Sequence, residues 1–229
     1  MRSAASTTCS GWSEMAAEAD EAIEDELGRA ADRLAAKGLF KAGDRLSMRV
    51  PERQTFVVLR YDDTGVKSYQ WGRLADSARG MHHHVYAARP DVGAILSGGL
   101  RWSSALSALD LSMPAVFDEQ VRHLGVEARR LTVGVDADAA IPALSNGANA
   151  YLLDGGVLCL GMGLERLLQN IEILEKCAES FVLAASSAGK VRRIPWLVRY
   201  IANGRLGKDR KDAAARHVRG ERSVPKAGY

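Results

Sequence analysis

Apolar positions along this chain recur in two periods, and each period predicts an element. Ile23, Leu27, Ala30, Ala31 and Leu34 repeat at helical spacing and Gly38 ends the run, which predicts an amphipathic helix. "TFVVL", Thr55 to Leu59, is β-branched and aromatic and predicts a strand; Asp62-Asp63-Thr64-Gly65 after it predicts a hairpin turn. "ARGMHHHVYAA" places Met81, Val85 and Ala88 on one helical face before Pro90 closes the helix. "VGAIL" then reads as a buried strand and "SSALSALDL" as a second helix. "RRLTVGV", "AYLL" and "VLCLG" read as further strands, the last two joined through Asp154-Gly155-Gly156, since Asp-Gly between apolar runs is a hairpin signal. From Leu164 to Ala185, Leu164, Leu168, Ile171, Leu174, Ala178, Phe181 and Ala185 share one face of a long helix.

Strands and helices interleave, yet several strands are joined by hairpins. The expected fold is therefore α/β of the α+β type, a mostly antiparallel central sheet flanked by helices. No internal repeat breaks this into smaller units. The 229 residues, 47% of them hydrophobic, suit one domain, expected over 14–189, after a loose leader over 1–13 and before a basic C-terminal extension over 190–229.

Charge changes the picture at the two ends. The first 36 residues hold eight acids against three arginines, while residues 190–229 hold twelve Lys and Arg against Asp209, Asp212 and Glu221. The extension has few aromatics after Tyr200 and no nucleic-acid module, so a solvated tail, or one docked on an acidic neighbouring subunit, is expected in preference to nucleic-acid binding. Cys9, Cys159 and Cys177 lack CxxC spacing and leave an odd thiol, which suits a reducing cytoplasm. No apolar run reaches membrane-spanning length, and the first residues lack the basic-then-apolar order expected of a signal peptide.

With these elements in order, several words of the sequence resemble the class II aldolase/adducin family. They are "ELGRAADRLAAKGLF", "GDRLSMRVP", "VYAARPDVGAI", "SALSALDLSMPAVFDEQVRHLG" and "NAYLLDGGVLCLG" with the helix that follows. The resemblance implies a class II aldolase-like fold, a small-molecule carbonyl or carboxylate substrate, and a homo-oligomer, a tetramer with sites between subunits. It also implies a divalent metal, usually zinc, held by three histidines. Laid on this chain, those ligands fall on Ser97, Gly99 and Gly155, and the acid/base glutamate falls on Ala78. The Asn of the Gly-Asn motif falls near Asp44-Arg45. Glycine offers no donor and serine is a poor zinc ligand, so no metal and no other cofactor is expected.

The remaining candidates flank the emptied motif. Glu119, after "SMPAVF", is the candidate acid/base, with a structural carboxylate as the equal alternative. His82 occupies a position where the family often has a histidine, and is the second catalytic candidate, or else a structural hydrogen-bonding residue. Consecutive histidines on a helix diverge by about 100°, so His82, His83 and His84 cannot share one metal, and His83 and His84 are expected at the surface. Arg101, Trp102 and Ser97 are the candidate substrate-binding residues, Arg101 to grip an anionic group or else a solvated residue at a loop rim. The sequence thus supports a metal-independent lyase or condensing enzyme acting next to a carbonyl or imine. The alternative is a non-catalytic, adducin-like assembly or binding protein.

Overall fold

The computed structural model describes residues 7–77, 80–109, 111–131, 144–187 and 191–224. Helix α1 (Thr7–Ala36) precedes β1 (Arg45–Val50), a 3-10 turn (Pro51–Arg53), β2 (Thr55–Tyr61) and β3 (Lys67–Arg73). Then come α2 (Gly80–Ala88), β4 (Ala94–Gly98), α3 (Arg101–Ala108), β5 (Met113–Pro114), α4 (Asp118–Leu124) and β6 (Glu127–Arg130). The chain continues with β7 (Ala150–Leu153), β8 (Gly156–Gly161), α5 (Leu164–Ser186) and α6 (Trp196–Val218). Among the described residues the sheet has eight strands in the order β3-β2-β1-β4-β8-β7-β6-β5. Neighbours are antiparallel except β6 and β7, which run parallel. The mostly antiparallel sheet with flanking helices matches the expectation.

Alternation along the strands builds two cores. Leu46, Met48, Val57, Leu59 and Leu96 face one way and pack against Leu27 and Leu34 of α1, Leu106 of α3, and Leu167, Ile171 and Leu174 of α5. Phe56, Val58, Ile95, Tyr151, Leu158 and Leu160 face the other way, against Val85 and Tyr86 of α2. The β7–β8 hairpin forms as expected, with Leu153 opposite Gly156 and Gly155 at φ +73°, a conformation glycine adopts without steric cost. Gly161 matters for a different reason: a Cβ there would lie 2.5 Å from the Leu167 backbone nitrogen, so glycine lets β8 and α5 touch.

Several expectations need correction. α1 begins at Thr7, so helix reaches into the stretch expected to be a loose leader. The strand expected over "RRLTVGV" is seen only to Arg130, since residues 132–143 lie outside those described. His83 is buried, against the ring of Phe56 at 5.0 Å between centroids, because α2 lies flat on the second core and its first turn faces inward. The C-terminal extension is no solvated tail; it forms α6 and docks on its own chain. Asp209 accepts from Arg122 at 2.5 Å and Arg166 at 3.3 Å, and Arg210 donates to Asp91 at 2.9 Å. His217 Nδ1 donates to the Pro90 carbonyl at 2.7 Å, and Arg222 reaches Glu26 and Glu52. The acids that answer the basic extension thus lie in the same chain, including the acidic first helix.

"RPD" is the hub of this docking. Arg89 forms a two-pronged pair with Asp91, at 2.8 and 2.7 Å, both residues being buried. It also donates to the carbonyls of Leu144 and Ala148. No helix of the described residues is long and apolar enough to cross a membrane.

Candidate functional site

The strand pattern places three polar residues in one row. Arg60 of β2 lies opposite Arg45 of β1, and Arg45 lies opposite Ser97 of β4. Opposite residues in antiparallel strands point to the same face. Ser47, two residues after Arg45, shares that face, as does Arg49. Arg49 fixes α2 above the row: it donates to the carbonyls of Tyr86, Arg89 and Val92, meeting carbonyls that the end of α2 leaves free.

α2 brings His82 down onto the row. His82 Nε2 lies 2.8 Å from Ser97 Oγ, His82 Nδ1 lies 2.7 Å from Ser47 Oγ, and Ser47 Oγ lies 2.8 Å from Tyr86 Oη. The result is a continuous chain, Ser97–His82–Ser47–Tyr86. Burial pushes the His82 pKa down to about 3, with the positive charges of Arg45 and Arg60 acting in the same direction. The imidazole is therefore neutral, with one nitrogen donating and the other accepting. Burial likewise raises the Tyr86 phenol above its usual range.

A cavity of about 490 Å³ opens over this face, lined among others by Arg45, Arg60, Arg73, Asp76, Met81 and His82. Its charged lining is three arginines and one aspartate. Ser97, half-buried, lies one strand from Arg45 and outside the lining of this cavity, linked to it through its hydrogen bond with His82. A second cavity of about 320 Å³ lies beneath α6, between Met48, Met162, Asp209 and Arg222.

The predicted site residues separate into two groups. Ser97 and His82 come together in one hydrogen-bonded pair. Glu119, Arg101 and Trp102 do not join them: Glu119 lies 3.8 Å from Lys176 of α5, and the Arg101 guanidinium lies 5.2 Å from the ring of Trp102. Neither cavity is lined by Glu119 or Arg101. α3 is instead anchored from below, where Glu175 accepts from the backbone nitrogens of Trp102 and Ser103 and from the Ser103 hydroxyl. Ala78 lies outside the described residues.

Of the positions that the resemblance assigns to zinc ligands, Gly99 and Gly155 lie close together. The hairpin packs its Gly155 carbonyl within 3.8 Å of where a Gly99 Cβ would stand, and Gly98 pairs with Val157. The donors do not fit. One of the three side chains is a hydroxyl already engaged with His82, the other two are glycines, and the Lys41 ammonium stands 3.2 Å from the Gly99 Cβ position. Among the described residues no three His, Cys, Asp or Glu side chains gather to hold a metal. Asp44, near which the resemblance puts the family's Asn, is equally occupied: its carboxylate accepts from the backbone nitrogens of Gly99 and Lys41, both at 2.9 Å, tying β4's end to the approach to β1.

The described residues thus form a mostly antiparallel, helix-flanked sheet with a polar cavity over β1, β2, β3 and the start of α2. Residues 25–182 match the family model for the class II aldolase and adducin N-terminal domain. The chain belongs to that family. Among solved structures it is similar to an L-fuculose 1-phosphate aldolase, with TM-score 0.65 and 21% identity, covering 81% of this chain and 96% of that one. It is also similar to the L-fuculose 1-phosphate aldolase of Glaciozyma antarctica PI12, with TM-score 0.62, 18% identity and coverage of 87% and 90%. A sugar-phosphate aldolase from Thermotoga maritima aligns with TM-score 0.54, 17% identity and coverage of 72% and 95%. At these identities the likeness is one of fold. No curated protein matches by sequence.

Arg45, Arg60, Ser47 and Tyr86 were missed as site residues. A signal was present: in "DRLSMRV", Arg45, Ser47 and Arg49 alternate with Leu46, Met48 and Val50, a polar face at strand period where a solvated face would need no such partners.

Proposed function

We propose that this chain is a metal-independent enzyme on the class II aldolase scaffold, making or breaking a C–C bond next to the carbonyl or imine of a small molecule. The observation that carries this reading is the Ser97–His82–Ser47–Tyr86 hydrogen-bonded chain, whose histidine lines an open cavity. His82 and Ser97 act as a hydrogen-bond relay: with Nε2–H donating to Ser97 Oγ, the Ser97 hydroxyl donates to the substrate's carbonyl oxygen or imine nitrogen, and the ring, which resists a second proton, stays neutral and keeps that donor in place. The charge that develops on the oxygen or nitrogen as the neighbouring bond forms or breaks is met by this hydrogen bond. One such donor is worth about 10²–10³-fold, enough for activated carbonyl substrates.

Assembly as a homo-oligomer, a tetramer by family resemblance, and a cytoplasmic setting accompany this reading. The second reading, a non-catalytic assembly or binding protein, is favoured by one observation: Trp196 and Tyr200 on α6 are 69% and 73% exposed. A screen of chelator-treated protein against β-keto acids, aldehydes and imines, with Ser97→Ala as the control, tests the enzyme reading. Turnover that survives in Ser97→Ala would contradict the relay.

A further inference from the structure

Thirteen large hydrophobic side chains are exposed among the described residues, and five of them fall within six positions of α6: Trp196, Leu197, Val198, Tyr200 and Ile201. Trp196 and Tyr200 stand four residues apart, as do Leu197 and Ile201, so these four share one stripe. The opposite side of the helix is already used. Ala202 and Leu206 are buried there, and Ile194, just ahead of the first turn, donates its backbone N–H to the Ala115 carbonyl. Docking of α6 on its own chain therefore holds the stripe outward.

The charge around the stripe is of one sign. From Lys190 to Lys208 the sequence holds six Lys and Arg and no Asp or Glu. Arg192 and Arg193 are exposed at one end of the stripe, Arg205 and Lys208 at the other. Glu127 lies near enough to Arg193 to feel its charge, and opposes the attraction. The face thus calls for a partner that is apolar and anionic at once. A second copy of this chain fits poorly, because two such faces brought together would set like charges against each other. Acids of α1 that could answer them are engaged within the chain: Asp20 with Arg53, Glu26 with Arg222 and Asp32 with Lys67. An anionic bilayer surface meets both demands. Trp and Tyr rest at headgroup depth, aliphatic side chains reach the acyl boundary, and Lys and Arg meet the lipid phosphates.

We propose that the first two turns of α6 form a docking face for an anionic lipid surface, on which the protein lies without spanning it. The face is on a different element from the Ser97–His82 pair, so its test is independent of the proposed chemistry.

Co-sedimentation of the full chain with vesicles tests this, using phosphatidylcholine alone and a two-to-one mixture of phosphatidylcholine and phosphatidylglycerol at low salt. Binding to the mixed vesicles is expected to be about tenfold tighter or more than to phosphatidylcholine alone. Trp196→Ser/Tyr200→Ser should weaken it about tenfold or more while keeping every positive charge. Arg192→Gln/Arg193→Gln should weaken it by a similar factor and reduce its salt dependence. Arg29→Gln, on the exposed side of α1, should leave it within about twofold. All of the substituted side chains in α6 and before it lie outside the core, so the melting temperatures of these variants should match that of native protein. Equal affinity for the two vesicles, or undiminished binding in Trp196→Ser/Tyr200→Ser, would overturn the inference. So would light scattering without lipid in which that double variant breaks native oligomers into smaller species, because the stripe would then be an interface between copies.

Discussion

His82 Nε2 lies 2.8 Å from Ser97 Oγ, so a helix and a strand meet at the serine to which the family resemblance assigns a metal-binding histidine. The serine accounts for one of the two nitrogens of a buried ring. Ser97→Ala is therefore expected to cost about 1–3 kcal/mol by stranding that nitrogen, and to lower turnover by about 10²-fold or more with little change in KM. Ser97→Thr, which keeps the hydroxyl, should recover most of both. Urea unfolding and steady-state kinetics read the two effects.

Acid should weaken the fold through the same histidine. The His82 pKa is pushed down to about 3 by burial and then by Arg45 and Arg60, whereas an unfolded histidine titrates near 6.5. Between those values the unfolded chain binds a proton that the folded chain refuses. Stability is thus present above about pH 6.5 and is lost as pH falls toward 3, by up to about 1.4 kcal/mol per pH unit. His123, lowered to about 4 by burial and by Arg166, acts in the same direction. The urea midpoint should be level from pH 8 to 7 and decline from pH 6.5 to 4. His82→Gln should flatten that decline, and a level midpoint down to pH 4 in native protein would contradict the burial of a neutral ring.

Asp91 is shared by Arg89 and Arg210, at 2.7 and 2.9 Å from one oxygen. Asp91→Ala leaves a buried guanidinium without its carboxylate and should cost about 3–5 kcal/mol. Arg210→Ala leaves the Arg89–Asp91 pair intact and should cost much less. Removing residues 196–229 should lower the melting temperature as well, because Leu206 and Ala213 cover Met162. Equal melting temperatures for the full and shortened chains would show that α6 does not dock in solution.

The emptied metal vertex can be tested by refilling it. Ser97→His, Gly99→His and Gly155→His together should create zinc binding, as the family resemblance implies for these positions. Lys41 must swing aside from Gly99, and Gly155 must hold a histidine at φ +73°, a left-handed conformation that costs an L residue about 1–2 kcal/mol. Isothermal titration showing no zinc affinity in the triple variant would mean that the side chains cannot meet.

Much of the fold was legible because long apolar periods report burial directly. The faces of α1 and α5 and the β7–β8 hairpin appear where their periods and turn residues place them. α6 was not legible, since its buried contacts are the small Ala202 and Ala213 with Leu206, and its docking is by ion pairs whose partners lie far away in sequence. The site divided along similar lines. Ser97 and His82 could be placed by resemblance, whereas the arginine row depends on the register between β1 and β2. Charge at a strand's edge looks the same in sequence whether it faces solvent or a cavity. Arg101, adjacent to the emptied motif in sequence, lies over Trp102 and lines neither cavity.

The most direct measurement is the 15N-imidazole spectrum of His82 at pH 7 in native protein and in Ser97→Ala. The account predicts a neutral ring with one protonated nitrogen in native protein, and an Nε2 resonance that shifts when the Ser97 hydroxyl is removed. A doubly protonated ring at pH 7, or an Nε2 resonance indifferent to the loss of that hydroxyl, would contradict it.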